Sequence, residues 1–110
     1  MKRGDIVLAA PRGDYSKPRP AVIVQSDLFT PTHASVMVCL LTTDLVKAPL
    51  FRLTIRPTAG NGLLETSQIM VDKVLAVPRQ RLRDRIGEID DETLLALNRS
   101  LALMLGLAGA

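Results

Sequence analysis

Val36-Met37-Val38-Cys39-Leu40-Leu41 is apolar at six successive positions, the pattern of a strand buried on both faces. The chain on either side supplies its neighbours. Toward the N-terminus, Ile6–Ala9 and Ala21–Gln25 read as strands, separated by the turn-rich loop Pro11-Arg12-Gly13-Asp14-Tyr15-Ser16-Lys17-Pro18. Toward the C-terminus, Phe51-Arg52-Leu53-Thr54-Ile55-Arg56 alternates like a strand with one wet face, which sets Arg52 and Arg56 on a shared surface. Thr58-Ala59-Gly60-Asn61-Gly62 is a turn. Ser67–Val71 and Val74–Val77 follow, either as one bent strand or as two adjoining ones. Short strands at regular spacing, joined by such turns, predict a small β-barrel.

The period changes after residue 88. Asp90 can act as an N-cap, Asp91 and Glu92 put negative charge in a first turn, and Ile89 with Leu94 has the spacing of a hydrophobic staple. Leu94, Leu97, Leu101 and Met104 or Leu105 form an apolar stripe, with Asn98 and Arg99 off it and Gly106 as the stop. This helix is expected to pack on the barrel or at a subunit interface. The fold class is therefore mainly β with a C-terminal α-helix.

A chain of 110 residues suffices for one domain with a real core, so residues 1–110 are expected to form a single domain. No apolar run approaches a membrane span, and Met1-Lys2-Arg3-Gly4-Asp5 lacks the apolar stretch of a signal peptide, so a cytoplasmic protein is expected. Cys39 is the one cysteine and reads as a small core residue. The net charge of +3 is unevenly placed: residues 1–87 hold 13 Lys or Arg against 7 acids, whereas residues 88–110 hold one Arg against four. A basic body with an acidic end favours a polyanion on one face.

Catalytic chemistry is narrowed by what the chain lacks. His33 is the only histidine, so acid–base catalysis by a histidine pair is excluded, and no Cys or His cluster suggests a metal or other cofactor. Arg19 stands out. In Lys17-Pro18-Arg19-Pro20 the prolines hold both Lys17 and Arg19 extended at the mouth of an apolar strand. A planar cation with five donors, so restrained, loses little entropy in gripping an anion. From these residues alone it is either that grip or a solvated arginine in a proline-rich turn.

Arg3-Gly4-Asp5-Ile6-Val7, Arg19-Pro20-Ala21-Val22-Ile23-Val24-Gln25, Leu41-Thr42-Thr43 and Ser67-Gln68-Ile69-Met70-Val71-Asp72-Lys73-Val74 resemble, in order and spacing, the MazF and PemK family of toxin endoribonucleases. The resemblance runs from about Lys2 to Leu107. It implies an SH3-like barrel, a homodimer, and metal-independent cleavage of single-stranded RNA by the ribose 2′-OH, leaving a 2′,3′-cyclic phosphate and a 5′-OH. By position, Arg19 matches the arginine at the scissile phosphate and Thr42 the strand-end threonine that helps hold it. Asp72 matches an acidic residue that either orients a catalytic group or reads a base, and its alternative is a carboxylate paired with Lys73 or a nearby arginine.

The resemblance also gives Arg12, Tyr15, Lys17 and Lys73 as RNA contacts, with Tyr15 either stacking on a base or anchoring its loop. Arg79, Arg81, Arg83 and Arg85 form either a basic stripe beside the groove or a solvated face. The chain departs from relatives that carry glutamine after the acid, having Lys73, and from those with an arginine two residues before it, having Met70. The implied partner is a small acidic antitoxin with a flexible inhibitory segment, and DNA enters only through it. Two other readings share the fold: a gyrase-binding toxin of the CcdB type, which needs a C-terminal tryptophan this chain lacks, and a noncatalytic RNA-binding barrel.

Overall fold

A computed structural model describes residues 1–12 and 17–108. Six strands and one helix follow in chain order: β1 Asp5–Ala9, β2 Arg19–Ile23, β3 Ser35–Thr42, β4 Arg52–Ile55, β5 Ser67–Pro78, β6 Leu82–Glu88 and α1 Asp91–Met104, with a 3₁₀ turn at Arg79–Arg81 before β6. The strands form one antiparallel sheet in the order β4-β5-β3-β2-β1-β6. The apolar run Val36–Leu41 thus lies near the middle, between β5 and β2. It is buried throughout except at Met37, which is half-exposed, and at the partly covered Leu40.

Strand parity divides the apolar residues between two cores. One face carries Ile6, Val22, Cys39, Leu41, Ile69 and Val71 and is covered by Leu94, Leu97 and Leu101 of α1; the other carries Val7, Ala21, Ile23, Val36, Val38 and Val77, packed with Leu75 and Leu82. The bent-or-double segment Ser67–Val77 is one strand. Its bend is a bulge: Leu41 pairs with Ile69 but Cys39 with Val74, so Met70–Lys73 stand opposite Leu40 alone. The three extra residues are an odd number, so the inward parity switches from Ile69 and Val71 to Val74, which packs on the same core.

The sheet curls so that its two ends meet through a turn rather than through paired strands. Glu88 N–H donates to the Gly60 carbonyl at 3.0 Å. The approach is so close that a Cβ on Gly62, whose φ is +68°, or on Gly87 would overlap the backbone of Ile86 or Asn61. Asn61 organises the turn, its buried amide accepting from Thr58 N and Leu63 N and donating to the Arg56 carbonyl. The barrel is therefore a six-stranded sheet closed by a loop.

The second strand begins at Arg19, earlier than Ala21–Gln25 suggests, because β1 captures the proline segment: Ala9 pairs with Arg19 and Leu8 with Pro20. It ends at Ile23, where Val24 N and Gln25 N both converge on the Met37 carbonyl and break the ladder. Helix α1 starts as its sequence requires. Asp90 accepts from Thr93 N at 2.8 Å; the Thr93 side chain first, and then this backbone bond, lower the pKa of its carboxyl, and the chain leaves the helix at Gly106 with φ +75°.

Candidate active site

Arg19 and Thr42 come together because of register. The β2–β3 ladder ends at Ala21–Leu40; its register carried two positions further puts Arg19 of β2 level with Thr42 of β3, and Arg19 reaches the Leu41 carbonyl next to Thr42. Arg19 is exposed, and its guanidinium makes one long hydrogen bond among the described residues, Nη2 to the Leu41 carbonyl at 3.4 Å. A fork with five donors so lightly engaged leaves most of them without a partner among the described residues. The Thr42 hydroxyl accepts from Asp44 N–H at 3.1 Å, which turns the chain sharply as it leaves β3 and leaves the hydroxyl proton uncommitted to that bond. Lys17 and Arg12, at the described ends of the β1–β2 loop, are both exposed; Tyr15 lies outside the described residues. An apolar cleft of about 510 Å³ is lined by Lys17, Pro20, Thr43, Leu63 and Ile86, sequence neighbours of Arg19 and Thr42 among them.

Asp72 and Lys73 are placed elsewhere. Both sit in the β5 bulge, and β3 intervenes between β5 and the β2 strand that carries Arg19. The Asp72 carboxylate is held by Arg52 of β4 in a two-pronged pair, Nε–Oδ1 2.9 Å and Nη2–Oδ2 3.4 Å, both side chains being mostly covered. The Arg52 hydrogen bond accordingly lowers the pKa of Asp72. Lys73 is exposed. This pair also changes the expected wet face of β4: Arg52 folds onto Asp72 while Arg56 remains in water.

The arginine run after β5 does not make a uniform stripe. Arg79 donates to the carbonyls of Thr30 and His33, Arg81 to the Pro11 carbonyl at 3.0 Å, and Arg85 pairs with Asp5 at 3.1 Å and Glu88 at 3.2 Å. These three bind loops and strands of their own chain. Asp5, almost wholly buried, also accepts from Lys2 N–H at 2.9 Å, and its ion pair raises the pKa of Arg85. Cys39 is fully buried, and burial first, then the Asp72 charge, pushes its thiol up to about 12; it is a core residue. His33 stacks edge-on with Phe29, ring centres 5.5 Å apart. Among the described residues no three of His, Cys, Asp and Glu gather as a metal site would require. No described helix is long and apolar enough to cross a membrane.

One polar side chain beside the site drew no separate reading from the sequence. Gln68, on β5 directly across from Thr42, is 4% exposed. Its amide oxygen accepts from Val46 N at 3.0 Å, while its nitrogen donates to the Val46 carbonyl at 2.9 Å and to Thr54 Oγ1 at 3.1 Å. The available signal was a glutamine at a strand position that packing makes interior.

The chain as a whole has relatives. Residues 2–105 match the family model described as the PemK-like, MazF-like toxin of type II toxin–antitoxin systems. The chain belongs to that family. The matched span contains all six strands and the whole helix, and with them Arg19, Thr42 and Asp72. A probable endoribonuclease MazF of Mycolicibacterium smegmatis is 46% identical over 110 residues, covering 99% of this chain and all of the relative. The endoribonuclease EndoA of Bacillus subtilis is 25% identical over 97% of this chain and 96% of its own. Among solved structures, a mycobacterial endoribonuclease in complex with its cognate antitoxin superposes with a TM-score of 0.82 at 25% identity, covering 97% of this chain and 96% of that one. The MazF of a Deinococcus radiodurans MazE–MazF complex shares the fold at 17% identity, with a TM-score of 0.79 and 96% and 95% of the two chains covered.

Proposed function

We propose that this toxin-family protein is an endoribonuclease that cuts single-stranded RNA in the cytoplasm without a metal ion, by attack of a ribose 2′-OH on the adjacent phosphate. The P–O2′ bond forms as the P–O5′ bond breaks, and the proton lost by the 2′-oxygen is balanced by the one the departing 5′-oxygen takes up from water, giving a 2′,3′-cyclic phosphate and a 5′-OH. The observation that carries the reading is the nearness of Arg19 to the end of β3: a proline-held guanidinium with one long bond among the described residues, to the carbonyl of Leu41, whose neighbour Thr42 offers a strand-end hydroxyl. A phosphate seated there would take two hydrogen bonds from the guanidinium fork and one from Thr42. As the pentacoordinate state develops, charge on its equatorial oxygens grows and these bonds strengthen, which lowers the barrier. A guanidinium stays a cation at working pH, so its part is charge stabilisation and orientation rather than proton removal. Activity names shared by relatives at 46% and 25% identity support the reaction class.

Arg12 and Lys17 lie at the described ends of the loop that leads into Arg19 and would hold neighbouring phosphates, with Tyr15 stacking on a base. Lys73, one strand beyond β3, would meet the RNA further along its path. Asp72, bound by Arg52, serves the bulge that presents Lys73 rather than the reacting phosphate. A homodimer and a small acidic antitoxin complete the reading. The complexed structural relative supports the antitoxin, and a basic groove suits an acidic flexible segment. The test is incubation of purified protein with long single-stranded RNA in EDTA, followed by mass spectrometry of the ends. Cyclic phosphate at a recurring short motif is expected; loss of cleavage in EDTA, or 5′-phosphate ends, would overturn the mechanism.

A further inference from the structure

Gln68 closes both ends of one loop. Its backbone pairs with Thr42, the last residue of β3, and its side chain pairs with both the N–H and the carbonyl of Val46. The chain between leaves the sheet at Thr42, turns on the bond from Asp44 N–H to the Thr42 hydroxyl, and returns to the sheet at Val46. A side-chain amide thus substitutes for one more strand residue. Buried and saturated, it fixes a segment whose own side chains hold it weakly, since Thr43, Asp44, Leu45, Val46 and Lys47 are all exposed.

We propose that Gln68 is a positioning residue: by clamping Val46 it sets the turn in which the Thr42 hydroxyl accepts from Asp44, and so aims that hydroxyl at the phosphate beside Arg19. This rests on the assignment of Thr42 to the reaction. Gln68 touches no substrate atom. It acts through Thr42, so displacing the hydroxyl can cost at most what deleting it costs, about tenfold in rate.

Gln68→Glu is the informative variant. An ionised carboxylate still accepts from Val46 N–H but opposes the Val46 carbonyl with no proton, whereas the protonated acid can donate there as the amide does. Cleavage relative to wild type at each pH should therefore be low at pH 8, by up to about tenfold, the scale of the Thr42 hydroxyl bond itself, and rise as pH falls toward 5. The charged residues on the surrounding elements are Asp44 and Lys47 of the loop, Arg52 of β4, Asp72 and Lys73 of β5, and Arg19 of β2; they are common to both proteins, and His33 lies beyond the far end of β3. The loss should fall on kcat, and it should vanish in a Thr42→Ala background, because a mispositioned hydroxyl costs nothing once the hydroxyl is gone.

Val46→Pro removes the N–H donor from the loop side without touching the core and should reproduce the kcat loss, giving a second route if position 68 does not tolerate change. A ratio flat with pH in a folded Gln68→Glu protein, or an equal loss with and without Thr42, would overturn the proposal. Full activity of Thr42→Ala would instead remove the assignment on which it rests.

Discussion

Arg19 and Arg52 are both strand-borne arginines of the same sheet, and their surroundings are opposite. Arg52 is mostly covered and spends its fork on Asp72 through two hydrogen bonds, whereas Arg19 is exposed and makes a single hydrogen bond among the described residues, at 3.4 Å. Arg79, Arg81 and Arg85 resemble Arg52 in being turned to carbonyls or carboxylates of their own chain. A guanidinium saturated by its own protein stabilises the fold; one left open and restrained is available to an external anion. The difference is one of partners, not of residue type.

The sharpest way to break this contrast is to remove each arginine in turn. Arg19→Ala should lose about 10²-fold or more in cleavage rate with the thermal midpoint unchanged, and Arg19→Lys should recover only part of it because an ammonium cannot make the two-pronged contact. Unaltered cleavage by the folded alanine variant would refute the assignment. Thr42→Val, which keeps the shape and deletes the hydroxyl, should cost about tenfold in kcat, the scale of one hydrogen bond to a charged group. Arg52→Ala should invert the pattern: a stability loss of about 2 kcal/mol in urea titration, from leaving a mostly covered carboxylate unpaired, with a smaller effect on cleavage by protein that remains folded.

The Arg52 variant also alters the pH dependence of stability. Asp72 has a lowered carboxyl pKa in the fold, so at acid pH the unfolded chain binds a proton that the folded one resists. The pair's contribution is present above the unfolded carboxylate range and is lost as pH falls through the lowered folded value. Wild type should lose this increment on acidification and Arg52→Ala should not, a comparison made by urea midpoints between pH 6 and pH 3. Smaller still, Lys17→Ala should reduce the salt slope of RNA binding by about one, while Lys73→Ala, beyond β3 from Arg19, should change it less. An equal effect at both lysines would carry the RNA track across β5.

Much of this fold could be read from composition and period. The apolar run at Val36–Leu41, the Asp90 cap and the Gly106 stop rest on local chemistry, and the sheet and helix formed where that chemistry put them. The site was legible only in part. Arg19 was visible as a proline-held cation, but its nearness to Thr42, 23 positions away, came from family resemblance, and in the fold from the β2–β3 register. Asp72 had two open readings, and the arrival of Arg52 from β4 gave it a partner. Arg79 and Arg81 looked like part of a basic surface because sequence alternation cannot show which loop carbonyls will face them.

The sequence by itself determined where the chain is extended, where it turns, where the helix is capped, and which residue types could bind phosphate, because those follow from backbone sterics and neighbouring side chains. Only the tertiary structure decided which arginines found partners in their own chain and which one stands beside Thr42. That choice depends on the three-residue bulge in β5, which presents Asp72 for Arg52, on the register that sets Arg19 level with Thr42, and on Gln68 tying Val46 to the sheet. Each joins residues distant in sequence, and a donor's availability is settled only when every competing acceptor has found its place.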